Sequence, residues 1–284
     1  MFSSIAEKII IITVYIIAKK IQVFYNKNID FFGERISVGK TADQYICIVQ
    51  ETIKRAWEEQ RDTVDALAAA IRTTLQEGHS VYIFGCSHAG ILAEEVFYRT
   101  GGLAVINPIF FPGMMLNTRP ITMTSQLERQ DGLGRVILDA NRVSAGDLLI
   151  LHSVSGRNNV PVEMALECAA RGAKTAAITN IAYSSAVTSR HPSGKRLFEC
   201  CDIVLDNFGC IGDAAVTPEG LPERIGPTST AVGTALINGV IIETVEQMLA
   251  EGQLPPVFMS ANLDGGDEHN RRIFEEYRDR IFYN

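Results

Sequence analysis

Two short serine-bearing segments constrain the fold most strongly, because each follows a buried-strand pattern and precedes a helical one. The first, 85–90, comes after the apolar run 81–84, and the second, 153–159, comes after the apolar run 148–151. Strands that alternate with helices in this way predict a parallel sheet covered by helices on both faces. In such a sheet both segments lie at the carboxyl ends of strands, where open α/β folds bind ligands. The pattern therefore predicts an α/β three-layer sandwich with a central parallel sheet.

The chemistry of these segments favours an anion such as phosphate. They present the hydroxyls of Ser87, Ser153 and Ser155 next to helix N-termini, which offer unpaired backbone N–H groups and partial positive charge. One such serine indicates only a helix cap, but three at one sheet edge favour phosphate ligation. Neither segment carries the G-x-G-x-x-G pattern or a Walker lysine, so we predict no nucleotide cofactor.

The net charge and the cysteine content limit the kinds of ligand and the cellular compartment that we expect for this protein. A net charge of −7 provides no extended basic surface for nucleic acid, so phosphate binding is expected to come from local backbone geometry. The six cysteines show no C-x-x-C pair and no metal-finger spacing, which predicts a reduced cytoplasmic protein without a bound metal.

Hydrophobic periodicity gives a coarse map of the elements. Residues 41–78 read as a helical hairpin, because apolar side chains recur at intervals of three and four. Beyond it we predict strands at 81–84, 103–106, 136–138, 148–152, 174–179 and 202–205, and helices at 88–99, 160–171 and 232–250.

Residues 1–39 read as an N-terminal appendage to the folded part, 40–284. The apolar run 9–18 is flanked by lysines and is too short to span a bilayer, so no membrane span is predicted. We interpret the appendage as translation from upstream of the true start. No small-residue cleavage site follows the apolar run, which argues against a signal peptide. A peripheral membrane anchor is the remaining alternative.

The segment 107–134 is longer than a connection between two elements requires. Long loops in compact domains are usually functional or mobile. We expect it to act as a lid or a subunit contact, with Glu128 and Arg129 as its polar contributors.

The order of these motifs resembles the sugar isomerase (SIS) domain, a phosphosugar-binding fold. The resemblance covers about 78–179 and is carried by the segments 84–87, 100–102, 147–150, 153–156 and 177–179. A longer resemblance, over roughly 41–284, is to the bacterial UPF0309 branch of that fold. It is carried by the segments 157–161, 226–230, 260–262 and 265–270.

The resemblance implies binding of a phosphorylated sugar or amino sugar, with aldose-ketose isomerisation as the reaction. A non-catalytic phosphosugar sensor or regulator, or a phosphosugar lyase or etherase, is the alternative. The implied substrate-binding residues are Gly85, Cys86, Ser87, His88, Ser153, Ser155, Gly156, Asn158, Thr228, Ser229 and His269. His88 and Glu95 are the implied catalytic residues, and no metal or cofactor is implied.

Several of these residues also have plainer interpretations. His88 is expected to contact the ligand before it catalyses anything, and Glu95 is equally well a helix-face carboxylate, because it lies closer to Ser87 than the base does in related enzymes. Cys86 is expected to be simply a small buried residue. His152 is expected to be a histidine at a strand end with its hydrogen bonds satisfied. The tail 260–270 holds possible metal ligands in no established spacing, and in a homodimer it is expected to reach the partner's pocket.

Overall fold

The computed structural model describes residues 41–284, and a parallel five-stranded sheet lies at their centre. Its strands are β1 Val81–Gly85, β2 Ile106–Pro108, β3 Leu148–His152, β4 Lys174–Thr179 and β5 Ile203–Asp206. They lie in the order β2-β1-β3-β4-β5. A separate antiparallel pair consists of β6 Ala214–Val216 and β7 Ile225–Pro227.

Helices connect the strands along the described part of the chain. They are α1 Thr41–Glu58, α2 Arg61–Gln76, α3 Ile91–Val96, α4 Met123–Leu127, α5 Leu133–Ala140, α6 Asn159–Arg171, α7 Ile181–Ser185, α8 Ser229–Ala250 and α9 Gly266–Glu276. Short 3-10 turns occur at Ser87–Gly90, Pro112–Met114 and Leu197–Glu199.

Alternate side chains of each buried strand point to opposite faces of the sheet, and both faces are covered. In β1, Val81 and Ile83 join the core formed with α2, α3 and α8, whereas Tyr82 and Phe84 join the core formed with α5 and α6. This arrangement explains why the strands read as continuous apolar runs. The predicted three-layer sandwich is confirmed.

The strand order places the two serine segments side by side. Strand β1 pairs with β3 in parallel from Val81↔Leu148 to Gly85↔His152, so both strands end at the same level. After β1 the chain continues to β2 on one side, and after β3 it continues to β4 on the other. Such a reversal of strand order opens a crevice between the two loops, which is where doubly wound sheets bind ligands.

The predicted hairpin 41–78 corresponds to α1 and α2. Trp57 near the end of α1 packs against Gly239 of α8, where a Cβ atom would overlap the indole ring. The Arg61 guanidinium lies 4.4 Å from the centre of the Trp57 ring. This tryptophan therefore packs one helix on another.

The strand predicted at 136–138 is wrong, because these residues lie within α5. A short apolar run is ambiguous between a strand and a buried helix turn. In the structure Ile137 and Leu138 are buried against α6, whereas Val136 is 58% exposed. The sheet also has no room for this strand, since β1 pairs directly with β2 and β3.

Two further boundaries differ from the prediction. The helix predicted at 88–99 is a 3-10 turn followed by the short α3, because the backbone becomes extended at Phe97 and left-handed at Tyr98, with φ +40°. The strand predicted at 103–106 begins only at Ile106. The residues just before it pair instead with a C-terminal segment, through Ala104 N to Pro256 O at 2.8 Å.

The C-terminal residues fasten the outer side of β2. The buried Asn107 side chain donates to Arg280 O at 2.9 Å and accepts from Phe282 N at 2.8 Å. The Tyr283 hydroxyl donates to Ala104 O at 2.7 Å. The edge strand β2 is thereby covered by the end of the chain.

The predicted appendage 1–39 lies outside the described residues and stays a prediction. Among the helices within 41–284, none is both long and apolar enough to cross a bilayer.

Candidate functional site

The three serines predicted to bind phosphate keep their hydroxyls free of protein partners. Ser87, Ser153 and Ser155 are all half-buried, and their hydroxyls make no hydrogen bond within residues 41–284. They do not cap helices either, because the N-cap of α3 is Gly90 and that of α6 is Asn158. The plain interpretation of these serines as helix caps is therefore wrong, and their hydroxyls are available to a ligand.

The first segment is a tight turn in which backbone contacts leave little space. A Cβ atom at Gly90 would lie 2.9 Å from Gly85 O, and Ser87 adopts a left-handed backbone with φ +53°. Cys86 is buried with its Sγ 3.3 Å from Met114 Sδ, and burial raises the pKa of its thiol well above the usual value. Cys86 is thus a packed side chain in a thiol form that is a weak nucleophile.

The second segment is held by contacts to the strand and helix that follow it. Thr179 Oγ1 donates to Ser153 O at 2.7 Å and to Val154 O at 3.2 Å. Gly156 has φ +58°, and a Cβ atom there would lie 2.8 Å from Ser184 Oγ. Only glycine fits this position without strain.

Helix α6 provides fewer free backbone N–H groups than the sequence predicts. Val160 N already donates to Glu128 O at 3.1 Å, and Pro161 has no N–H group. The backbone at Val160 and Pro161 therefore contributes no free N–H group to the positive potential that an anion needs at this segment.

Arginine side chains supply that potential, and sequence reasoning missed two of them as site residues. Arg190 Nη1 donates to Asn158 Oδ1 at 2.6 Å, and Arg190 N donates to Arg157 O at 2.8 Å. Burial and the nearby charges of Arg129 and Arg157 lower the pKa of Arg190. Within residues 41–284 none of these three arginines forms an ion pair. They make a local cationic group at the second segment of a protein whose net charge is −7.

Glu128 lies between the two serine segments. Burial raises the pKa of this carboxyl group, while a side-chain hydrogen bond with Asn158 and the charges of Arg129 and Arg190 lower it in part. The charge of Glu128 in turn contributes to the raised pKa of Cys86 in the first segment. The long loop thus brings a carboxylate to both segments at once.

The two residues predicted to be catalytic differ in their surroundings. His88 is exposed at the 3-10 turn, and its ring has no hydrogen-bond partner in the described part of the chain. Glu95 is paired with Arg99 and accepts from Asn238 Nδ2 of α8 at 3.0 Å. Glu95 therefore joins α3 to α8.

The predicted third hydroxyl contact is already occupied by a carboxylate of the same chain. Ser229 Oγ donates to Asp213 Oδ2 at 2.6 Å, and Ser229 N donates to Asp213 Oδ1 at 2.9 Å. Thr228 N also donates to Asp213 Oδ1, at 3.2 Å. Asp213 thus caps α8, and both hydroxyls predicted to hold phosphate lie beside it.

Only one of the two ring nitrogens of His152 has a hydrogen-bond partner within residues 41–284. Its Nδ1 lies 2.9 Å from Ala89 O, and a carbonyl accepts only, so Nδ1 carries the proton. Nε2 is buried near Gly233 of α8 and has no partner among residues 41–284. Burial lowers the pKa of this histidine to about 4, so the ring is neutral. The prediction of a satisfied histidine is therefore correct for one nitrogen and wrong for the other.

The tail predicted to complete a partner's pocket begins α9 in the structure. The His269 ring donates from Nε2 to Val257 O at 2.9 Å, since a carbonyl accepts only. Asp267 and Asn270 line an open depression of about 480 Å³ beside the exposed Tyr98. No serine of the two segments lines this depression.

No group of three or more histidine, cysteine, aspartate or glutamate side chains within residues 41–284 is arranged to hold a metal ion.

Comparison with known proteins gives matches over most of the chain. A family model described as the SIS domain matches residues 44–180. The UPF0309 protein of Shouchella clausii is 45% identical over 241 residues, which cover 85% of this chain and 98% of the relative. The UPF0309 protein of Oceanobacillus iheyensis is 45% identical over 84% of this chain and 98% of its own length. Among solved structures, a phosphoheptose isomerase from Francisella tularensis is 14% identical with a TM-score of 0.44, covering 72% of this chain and 96% of its own.

Proposed function

Because this chain belongs to the UPF0309 family and carries an SIS domain, we propose that it binds a phosphorylated sugar or amino sugar and interconverts its aldose and ketose forms. The phosphate group lies at the second segment, against the hydroxyls of Ser153 and Ser155 and the side chain of Asn158. Ser87 reaches the same group from the first segment. The sugar carbons extend from there into the crevice between β1 and β3.

One observation carries this proposal. Within residues 41–284, three serine hydroxyls without hydrogen-bond partners follow the strand ends where the order of the sheet reverses, and a group of arginines without ion pairs lies at the second of these segments. Hydroxyls and guanidinium groups are the donors that phosphate oxygens accept from, and hydrogen bonds to a charged acceptor are the strong ones. A phosphate held away from the reacting carbons also orients the sugar for proton transfer.

Isomerisation requires a base and a group that handles the hydroxyl protons. His88 is exposed at the entrance to the crevice and is suited to the second task. Gly85, Cys86 and Gly156 shape the two segments by their small size, and Thr228 and Ser229 join the site when Asp213 withdraws from them.

The test is titration calorimetry with fructose 6-phosphate, N-acetylmannosamine 6-phosphate and inorganic phosphate. For the probe that binds, replacing Ser87 and Ser155 together by alanine should weaken affinity, because each lost hydrogen bond to phosphate costs about 1.5–3 kcal/mol. The matched control replaces Ser125 and Ser185, two exposed serines whose side chains form no hydrogen bond within 41–284.

Equal affinity of the double variant and the wild type would place the phosphate elsewhere. Tight binding without conversion of any bound sugar, followed by NMR, would instead favour the phosphosugar sensor.

We also infer that the protein acts as a homodimer, in which the tail at His269 completes the partner's pocket, and that it works in the cytoplasm. Cys86, Cys168, Cys200, Cys201 and Cys210 are free thiols, as a reducing compartment favours.

A further inference from the structure

Glu128 is anchored through its backbone. Its carbonyl accepts from Val160 N at 3.1 Å, which fixes the residue to the first turn of α6. On the other side the long loop packs on the first serine segment, where Met114 Sδ lies 3.3 Å from Cys86 Sγ. Glu128 is therefore held at a defined place between the phosphate-binding segment and the first loop.

The carboxylate of Glu128 has fewer partners among the described residues than the carboxylates of Glu95 and Asp213. Glu95 is paired with Arg99 and bonded to Asn238, and Asp213 accepts from Ser229 and Thr228. Glu128 forms no ion pair within residues 41–284, and its side chain interacts with Asn158, itself predicted to bind substrate.

We propose that Glu128 is the base that moves the proton between C1 and C2 of the phosphosugar, in place of Glu95. This inference rests on the proposed function. With an aldose, the C2–H bond breaks and its proton passes to a Glu128 carboxylate oxygen. The electron pair forms the C1=C2 bond while the carbonyl pair moves onto O1. The O2 hydroxyl proton then passes to O1, Glu128 returns its proton to C1, and C2=O2 forms. The ketose is an isomer of the aldose, so no co-reactant is consumed.

The surroundings of Glu128 suit this task. Burial raises its pKa towards the working pH, which strengthens the carboxylate as a base. Arg129 and Arg190 lower the same pKa in part, because their positive charges favour the carboxylate form.

The experiment measures deuterium incorporation into the probe sugar in D2O by NMR, together with its affinity by calorimetry. Glu128→Gln should bind fructose 6-phosphate, or whichever probe the wild type binds, within a few-fold of wild-type affinity. Its rate of exchange of the C1 proton should fall by about 10²–10⁴-fold. The matched control is Glu94→Gln, which changes an exposed carboxylate on α3. This variant should exchange the proton at the wild-type rate.

A second variant keeps the test decisive if Glu128→Gln fails to fold, which circular dichroism would show. Glu128→Asp retains the carboxylate but withdraws it by one methylene, so exchange should fall while affinity stays. Wild-type exchange in a folded Glu128 variant, or its loss in Glu95→Gln, would overturn the assignment and leave phosphosugar binding intact. A wild type that binds a probe but never exchanges its proton would also overturn it. A wild type that binds no phosphosugar would overturn the proposed function as well.

Discussion

Ser229 and Asp213 are joined by a hydrogen bond of 2.6 Å from the serine hydroxyl to the carboxylate, so the N-terminus of α8 holds an anion of its own chain. Loss of such a cap usually lowers the free energy of unfolding by about 0.5–2 kcal/mol. We expect Asp213→Ala to fall in this range. Asp213→Asn should lose less, because asparagine keeps one acceptor oxygen and tolerates φ +67°. Equal urea midpoints for all three proteins would show that the cap contributes nothing.

The same variant tests whether Thr228 and Ser229 belong to the phosphate site. Removing the Asp213 carboxylate removes a competitor for their hydroxyl and N–H donors. Asp213→Ala should therefore bind inorganic phosphate or a phosphosugar more tightly than the wild type, by calorimetry. Unchanged affinity would take both residues out of the site.

Ser87 allows a separation of function from stability. Its left-handed φ of +53° is disfavoured for residues with a side chain and acceptable for glycine. Ser87→Gly and Ser87→Ala should lose the same ligand affinity, because both lack the hydroxyl. Their stabilities should differ, with the glycine variant more stable than the alanine variant by about 1 kcal/mol. The prediction fails if calorimetric unfolding places the alanine variant at the higher melting temperature.

Gly156 and Gly194 form a matched pair of glycines. Both have positive φ, +58° and +73°, so alanine strains the backbone at either position. A Cβ atom at Gly156 also meets Ser184 Oγ at 2.8 Å and Leu197 Cβ at 3.3 Å, whereas at Gly194 no atom of the described residues lies within 4 Å. Gly156→Ala should therefore weaken phosphosugar binding and lower the melting temperature more than Gly194→Ala. Equal effects would mean that the second segment adapts to a side chain.

His152 should make stability depend on pH. The unfolded chain binds a proton at this ring below about pH 6.5, whereas the folded chain does so only near the lowered pKa of about 4. Folding stability present above pH 6.5 is therefore lost as pH falls towards 4, by a total of about 3 kcal/mol.

His152→Asn isolates this effect, because the asparagine amide keeps a donor towards Ala89 O and does not titrate. Urea unfolding should show the wild type losing stability relative to the variant between pH 6.5 and 4. Other groups, such as Glu128, titrate in both proteins, so their contributions to the pH dependence of stability cancel in the difference. Parallel curves of stability against pH for the two proteins would mean that the pKa of His152 is the same in the folded and the unfolded chain.

The sequence predicts the features that depend on neighbours along the chain. Strands β1 and β3 are continuous apolar runs followed by the serine segments, so these two strands and the position of the segments after them are predicted correctly. The run 136–138 was misassigned because three apolar residues satisfy either period. Contacts between residues far apart in the chain leave no such signal: Arg190 meets Asn158 across 32 positions, and Asp213 meets Ser229 across 16.

The fastening of β2 by Asn107 and Arg280 joins residues 173 positions apart, so this contact closes a long loop of the chain during folding. Until residues 280–283 dock, the Ala104 carbonyl and the buried Asn107 amide lack their partners at the outer edge of the sheet. Exposed strand edges of this kind pair readily with other chains. A chain in which residues 280–283 have not yet docked is thus most prone to associate wrongly at this edge.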